Sequence, residues 1–234
     1  MSRSSFLFCL SILIFTASVS AQDVLRGRVV VDVEPAVNFY VEDRNPVDTE
    51  EACRRALEEA SYLFSGQIYG WSFYYDIGER ARNLKEEFNL EPIGSIPWGD
   101  SALKVTAAEF IDKGLKLEVW MDYRPAPPQQ RRLLTWKQGL NRTAQAIGYT
   151  PMGSPTPPDD ESSAWFAERK AALEDAARAA IRAMLRGSER NRPKAAHGYI
   201  GLHSFPRFFI DSGQVACSAR FLVDVREIVP FSAY

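Results

Sequence analysis

The chain has 234 residues, 46% of them apolar and 25% charged, with a formal net charge of −2. This composition excludes collagen-like, coiled-coil and wholly disordered chains, and the near-neutral charge argues against nucleic acid as a partner.

The first element in chain order is an export signal. Arg3 precedes an apolar run over residues 6–15, and small residues follow, with Val19 and Ala21 at the −3 and −1 positions of a cleavage site. The run is about half of the ~20 apolar residues that a membrane-spanning helix needs. The expectation is a signal peptide at 1–21 and a single α+β domain at 22–234, with no transmembrane segment after cleavage. Such a chain is exported: periplasmic in a diderm bacterium, otherwise extracellular.

Residues 26–33 and 36–42 read as strands interrupted near Pro35. Asp48 and Glu51 then form a capping-box-like helix start. The helix carries an apolar stripe of Cys53, Ala56, Leu57, Ala60, Leu63 and Phe64 and is expected to end at Gly66. Residues 69–77 alternate as a strand with an aromatic face, Trp71, Phe73 and Tyr75 among its members, while Tyr74 points the other way as a candidate contact residue. A short helix is predicted over 79–89 and an extended stretch over 90–98.

Residues 102–111 and 115–123 read as a hairpin about Asp112, Lys113 and Gly114. A second helix is predicted over 127–147, closed by a stiff proline-rich loop at 151–158. The third helix, 162–187, has Phe166, Leu173, Ala176, Ala177, Ala180, Ile181 and Met184 as its inner stripe, a small-residue face suited to close packing. Residues 205–210 and 214–228 form a final hairpin about Asp211, Ser212 and Gly213. The fold expected from these elements is α+β: a mainly antiparallel sheet of about five to seven strands with two or three helices on one face.

Cys53 and Cys217 both face the core by periodicity, and an even cysteine count in an exported chain suggests a structural disulfide. On the third helix Arg178, Arg182 and Arg186 recur every four residues and lead into Arg190, Arg192 and Lys194. This basic stripe either complements the helix macrodipole or docks an anionic partner, such as an acidic protein face or envelope polymer.

Residues 99–103, Gly-Asp-Ser-Ala-Leu, resemble the nucleophile block of the GDSL esterases, which implies Ser101 as a nucleophile. The family's later Asp-x-x-His block has no counterpart, because Lys194 and Ile200 stand three residues before His197 and His203. Those two histidines, with Asp211 nearby, lack recognisable metal-ligand spacing, so no metal site is expected. Without a phosphate loop or dinucleotide fingerprint, no cofactor is expected either. Asn141 opens a glycosylation sequon. The resulting expectation is an exported non-enzymatic binding or assembly protein of the cell envelope or extracellular space. The alternative is an envelope-polymer hydrolase whose site, a cleft joining Asp100, Ser101 and a histidine, forms only in three dimensions.

Overall fold

The computed structural model describes residues 24–33, 48–78, 85–139, 141–151, 166–188 and 193–230. The expected signal at 1–21, the strand at 36–42, most of the loop at 151–158, the start of the third helix, Arg190 and Arg192 lie outside them. In chain order the elements are β1 (Leu25–Asp32), α1 (Thr49–Ile68), β2 (Trp71–Asp76), β3 (Glu87–Pro92), β4 (Leu103–Ile111), β5 (Lys116–Tyr123) and α2 (Pro127–Gln138). They continue with β6 (Arg142–Tyr149), α3 (Ala167–Ser188), β7 (Pro193–Leu202), β8 (Arg207–Asp211) and β9 (Gln214–Pro230).

The protein is α+β, with a six-stranded antiparallel sheet in the order β3-β2-β7-β9-β6 and β8 added on β9. A separate three-stranded antiparallel sheet, β1-β5-β4, was not foreseen from periodicity. α1 and α3 pack on the inner face of the large sheet, where Leu63, Trp71, Phe73, Ile181, Ile200 and Phe221 share one buried cluster. The other side of α1 presents Ala52, Ala56, Ala60, Phe64 and Ile68 to Val29, Leu117, Val119 and Met121 of the small sheet. α1 is therefore buried on two sides, which explains why Glu59, Ser61, Ser65 and Gln67 are buried along with its apolar residues.

Asp48 caps α1 as expected, its side chain accepting a hydrogen bond from the Glu51 N–H at 2.7 Å. Gly66 does not end the helix. An added Cβ there would fall on the Trp71 ring, so this glycine serves a close approach, and the chain turns only at Gly70, whose φ is +69°.

Two further expectations are corrected. Residues 87–89, expected to end the short helix, instead open β3, which runs on into the stretch expected to be extended and pairs with β2 from Trp71↔Pro92 to Asp76↔Glu87; residues 79–84 lie outside the described residues. The expected second helix stops at Gln138, where the Asn141 side-chain amide donates to the Trp136 carbonyl at 2.7 Å and satisfies the helix end. Residues 142–149 then pair with β9 as β6. Ala144, Ala146 and Gly148 turn inward, and an added Cβ on Gly148 would strike the backbone of Ala172 and Ala176. The alanine stripe of α3 thus meets a strand of equally small residues, and close approach replaces bulky interdigitation.

Cys53 and Cys217 are both free thiols rather than a bridge. Cys53 packs against the small-sheet cluster, whereas Cys217 is a member of the cluster under α3. Burial, with the nearby Glu59 carboxylate as a second cause, pushes the Cys217 thiol up to about 12. It is therefore a core side chain and not a nucleophile.

Candidate functional site: an aromatic-walled cavity beside α1

A cavity of ≈ 480 Å³ opens beside the C-terminal half of α1. Its floor is Ser61, Ser65 and Gly66, which lie on one face of the helix at spacings of four and five residues. Tyr62, Trp71, Trp98 and Phe166 form the walls, and Ile96 with the 92–95 loop closes one side. The described lining is mainly apolar, within the size range of small-molecule pockets.

The floor is small for a physical reason. Ser61 Oγ donates back to the Leu57 carbonyl at 2.9 Å, and Ser65 Oγ to the Ser61 carbonyl at 2.6 Å. Both hydroxyl protons are thereby committed to the helix backbone, leaving compact side chains that project little into the cavity. Ser65 Oγ also accepts the Ile96 N–H at 2.8 Å, and the Ile93 N–H reaches the Gly70 carbonyl at 3.2 Å. These bonds pin the loop after β3 against α1 and hold Trp98 at the mouth, where it is 60% exposed.

The rings support one another. Tyr62 lies 5.7 Å from Trp71 and 5.8 Å from Phe166, both tilted, and Lys170 Nζ sits 5.7 Å from the Tyr62 ring. Burial raises the Tyr62 phenol well above its ordinary range, with the Glu174 charge adding to it, so it remains a neutral wall. Glu58 at the rim is the one ionisable carboxylate among the described lining residues, and it pairs with Arg54 at 3.2 Å. The described lining includes no histidine or cysteine, and the Ser61 and Ser65 hydroxyls donate to helix carbonyls while the Glu58 carboxylate pairs with Arg54. Such a cavity can bind by apolar contact and ring stacking.

The residues singled out from sequence are placed elsewhere. Asp100 Oδ1 accepts the Ala102 N–H at 2.9 Å and Oδ2 accepts the Tyr123 hydroxyl at 3.0 Å, so this aspartate closes the turn into β4. Neither the α1 cavity nor a shallower hollow of ≈ 290 Å³ on the open face of the large sheet joins Asp100 and Ser101 to a histidine. That hollow contains Tyr74, Asn89, Glu91, His197, Tyr199 and Arg226, with the Tyr74 and His197 rings 4.9 Å apart. His203 is exposed after the end of β7. Among the described residues no group of three or more His, Cys, Asp or Glu could hold a metal ion.

Two arginines of the basic stripe are committed internally. Arg178 pairs with Asp175 one turn back on α3. Arg182 donates to the Tyr75 hydroxyl at 3.1 Å and pairs with Glu86, tying α3 to the β2–β3 region. Arg186 and Lys194 are exposed.

The cavity itself was missed in the sequence. Its signal was the small Ser61, Ser65 and Gly66 face on an otherwise strongly apolar helix end, together with Trp98 isolated among Pro and Gly residues.

Fold and site together define an α+β protein with a central helix between two antiparallel sheets and an apolar cavity at that helix. A protein-family model matches residues 13–231, and the chain belongs to that family, whose description states no activity. The chain is also similar to an uncharacterized protein of Treponema pallidum (strain Nichols), 25% identical over 181 residues, covering 76% of this chain and 69% of the relative. No solved structure matches. No helix among the described residues is long and apolar enough to cross a membrane.

Proposed function

We propose that the protein is an exported, non-enzymatic binding protein of the cell envelope or extracellular space that takes an apolar group into the cavity beside α1. The observation that carries this reading is the ≈ 480 Å³ aromatic-walled cavity, whose serine protons are committed to helix carbonyls and whose one described carboxylate, Glu58, is paired with Arg54. Export rests on the character of residues 1–21. Burial of an alkyl chain or ring against Tyr62, Trp71, Trp98 and Phe166 supplies affinity in proportion to the area removed from water, about 25 cal/mol per Å².

The test is calorimetric titration of the chain from residue 22 with dodecanoate, followed in parallel by tryptophan fluorescence, since Trp71 and Trp98 line the site. Saturable one-to-one binding is expected. Ser61→Phe, which fills the floor, and Trp98→Ala, which removes an exposed wall, should each weaken it by about tenfold or more, about 1.4 kcal/mol. Trp98→Ala leaves the core untouched, so its thermal unfolding should match that of the parent. Absence of saturable binding, or binding indifferent to both substitutions, removes the proposal.

A further inference from the structure

Among the described residues, one edge of β4 pairs with β5 and the other has no neighbour. Residues 104–110 are exposed throughout, including Val105 at 44% and Phe110 at 50%. These two lie on the same face as Met121 and Leu117, opposite which they pair, yet α1 covers β1 and β5 and leaves β4 bare. An uncovered apolar edge strand is a template for another strand.

The register of β4 is the informative feature. Val105 stands opposite Met121 and Ala107 opposite Trp120, so Thr106 is an extra residue, its hydroxyl donating to the Trp120 carbonyl at 3.2 Å. This bulge shifts the alternation. Lys104, opposite Asp122, and Glu109, opposite Glu118, are five residues apart but share the outer face. Leu103, Val105, Ala108 and Phe110 share the inner one, opposite Tyr123, Met121, Val119 and Leu117.

A two-fold axis through the bulge therefore makes β4 complementary to itself. In antiparallel pairing Lys104 meets the partner's Glu109, Val105 meets the partner's Ala108, and Leu103 meets the partner's Phe110. These three rows match, apolar with apolar on the inner face and opposite charges on the outer, and the central row sets Thr106 against the partner's Ala107. Charges on an edge strand ordinarily block pairing; here their opposite signs at symmetry-related positions select one register and orientation. Glu109 also faces the like charge of Glu118 in its own sheet, and the partner's Lys104 offsets that repulsion.

We propose that two copies of this chain pair through β4, joining their three-stranded sheets into one continuous six-stranded sheet and covering Val105 and Phe110. The occupant of this edge is a second copy, and the inference is independent of what the α1 cavity binds.

Sedimentation equilibrium of the chain from residue 22, across a wide concentration range, tests the proposal. The parent should show a monomer–dimer equilibrium. Lys104→Glu and Glu109→Lys alone should each weaken it by about tenfold or more, because symmetry places every reversal at two contacts; tenfold corresponds to about 1.4 kcal/mol. The double swap, Lys104→Glu with Glu109→Lys, should recover the parent's dimer constant to within about threefold, since the complementarity is restored with signs exchanged. Both positions are exposed, so circular dichroism should be unchanged in all variants. A parent that remains monomeric, single reversals that leave the dimer intact, or a double swap that fails to rescue would each overturn it.

Discussion

The least ordinary residue in the core is Glu59, 2% exposed between α1 and α3. Arg169 donates to its carboxylate at 2.8 Å and to the Val30 carbonyl at 2.7 Å, while its guanidinium lies 5.5 Å from the Phe208 ring. Burial raises the Glu59 carboxyl above its ordinary range, and the Arg169 charge pulls it back. One arginine thus joins α3, α1 and β1. Removing either charge of a buried pair leaves the other uncompensated, which costs more than the pair itself contributes. Arg169→Met is therefore expected to destabilise by about 3–5 kcal/mol in urea titrations. Arg169→Met with Glu59→Met should recover most of that loss, because two apolar side chains leave no buried charge. A double substitution no better than the single would mean that the bond to Val30 dominates. Neither residue stood out in sequence. Glu58 and Glu59 are adjacent acidic residues of α1, and only the approach of α3 distinguishes the two.

At the scale of elements, local pattern predicts what neighbouring residues dictate. Asp48 as cap, the hairpin of β4 and β5, the aromatic face of β2 and the inner stripe of α3 all appear as the spacing implies. The errors have a common cause. Residues 142–149 have helix-compatible composition, and what makes them β6 is the unsatisfied edge of β9 together with space only for Ala and Gly under α3. Gly148→Ala is the direct test. With α3 backbone on the line of the new Cβ, overpacking should cost about 1–3 kcal/mol, read from the denaturation midpoint. Gly114→Ala meets no neighbour, so any cost there should come from its φ of +93° and not from a clash. Equal losses without a shift in the packing of α3 would argue against close approach as the reason for the small residues of β6.

The whole molecule is organised about α1. Leu63 belongs to the cluster of the large sheet and Phe64, next in the chain, to that of the small sheet, so adjacent residues bind two layers to one helix. Phe64 is fully buried, 5.6 Å from the Tyr123 ring and 4.7 Å from that of Phe205, which itself touches both clusters. Phe64→Ala should cost about 3–5 kcal/mol and expose the small sheet first, seen as earlier amide exchange in β1 and β5 than in β7 and β9. Uniform acceleration across all strands would show instead that the two layers open together.

The division between chain and fold follows from the range of the forces involved. The α+β class, most element positions and the core-facing direction of both cysteines are written in spacings of two to four residues, because side-chain direction along a helix or strand depends only on local backbone geometry. The second sheet, the burial of α1 on two sides, the internal use of Arg178 and Arg182, and the separation of Cys53 from Cys217 were decided by tertiary packing. The cavity belongs to the same group. Its floor comes from α1, its walls from the start of β2, the loop after β3 and the approach to α3, and no single stretch of sequence contains the empty volume between them.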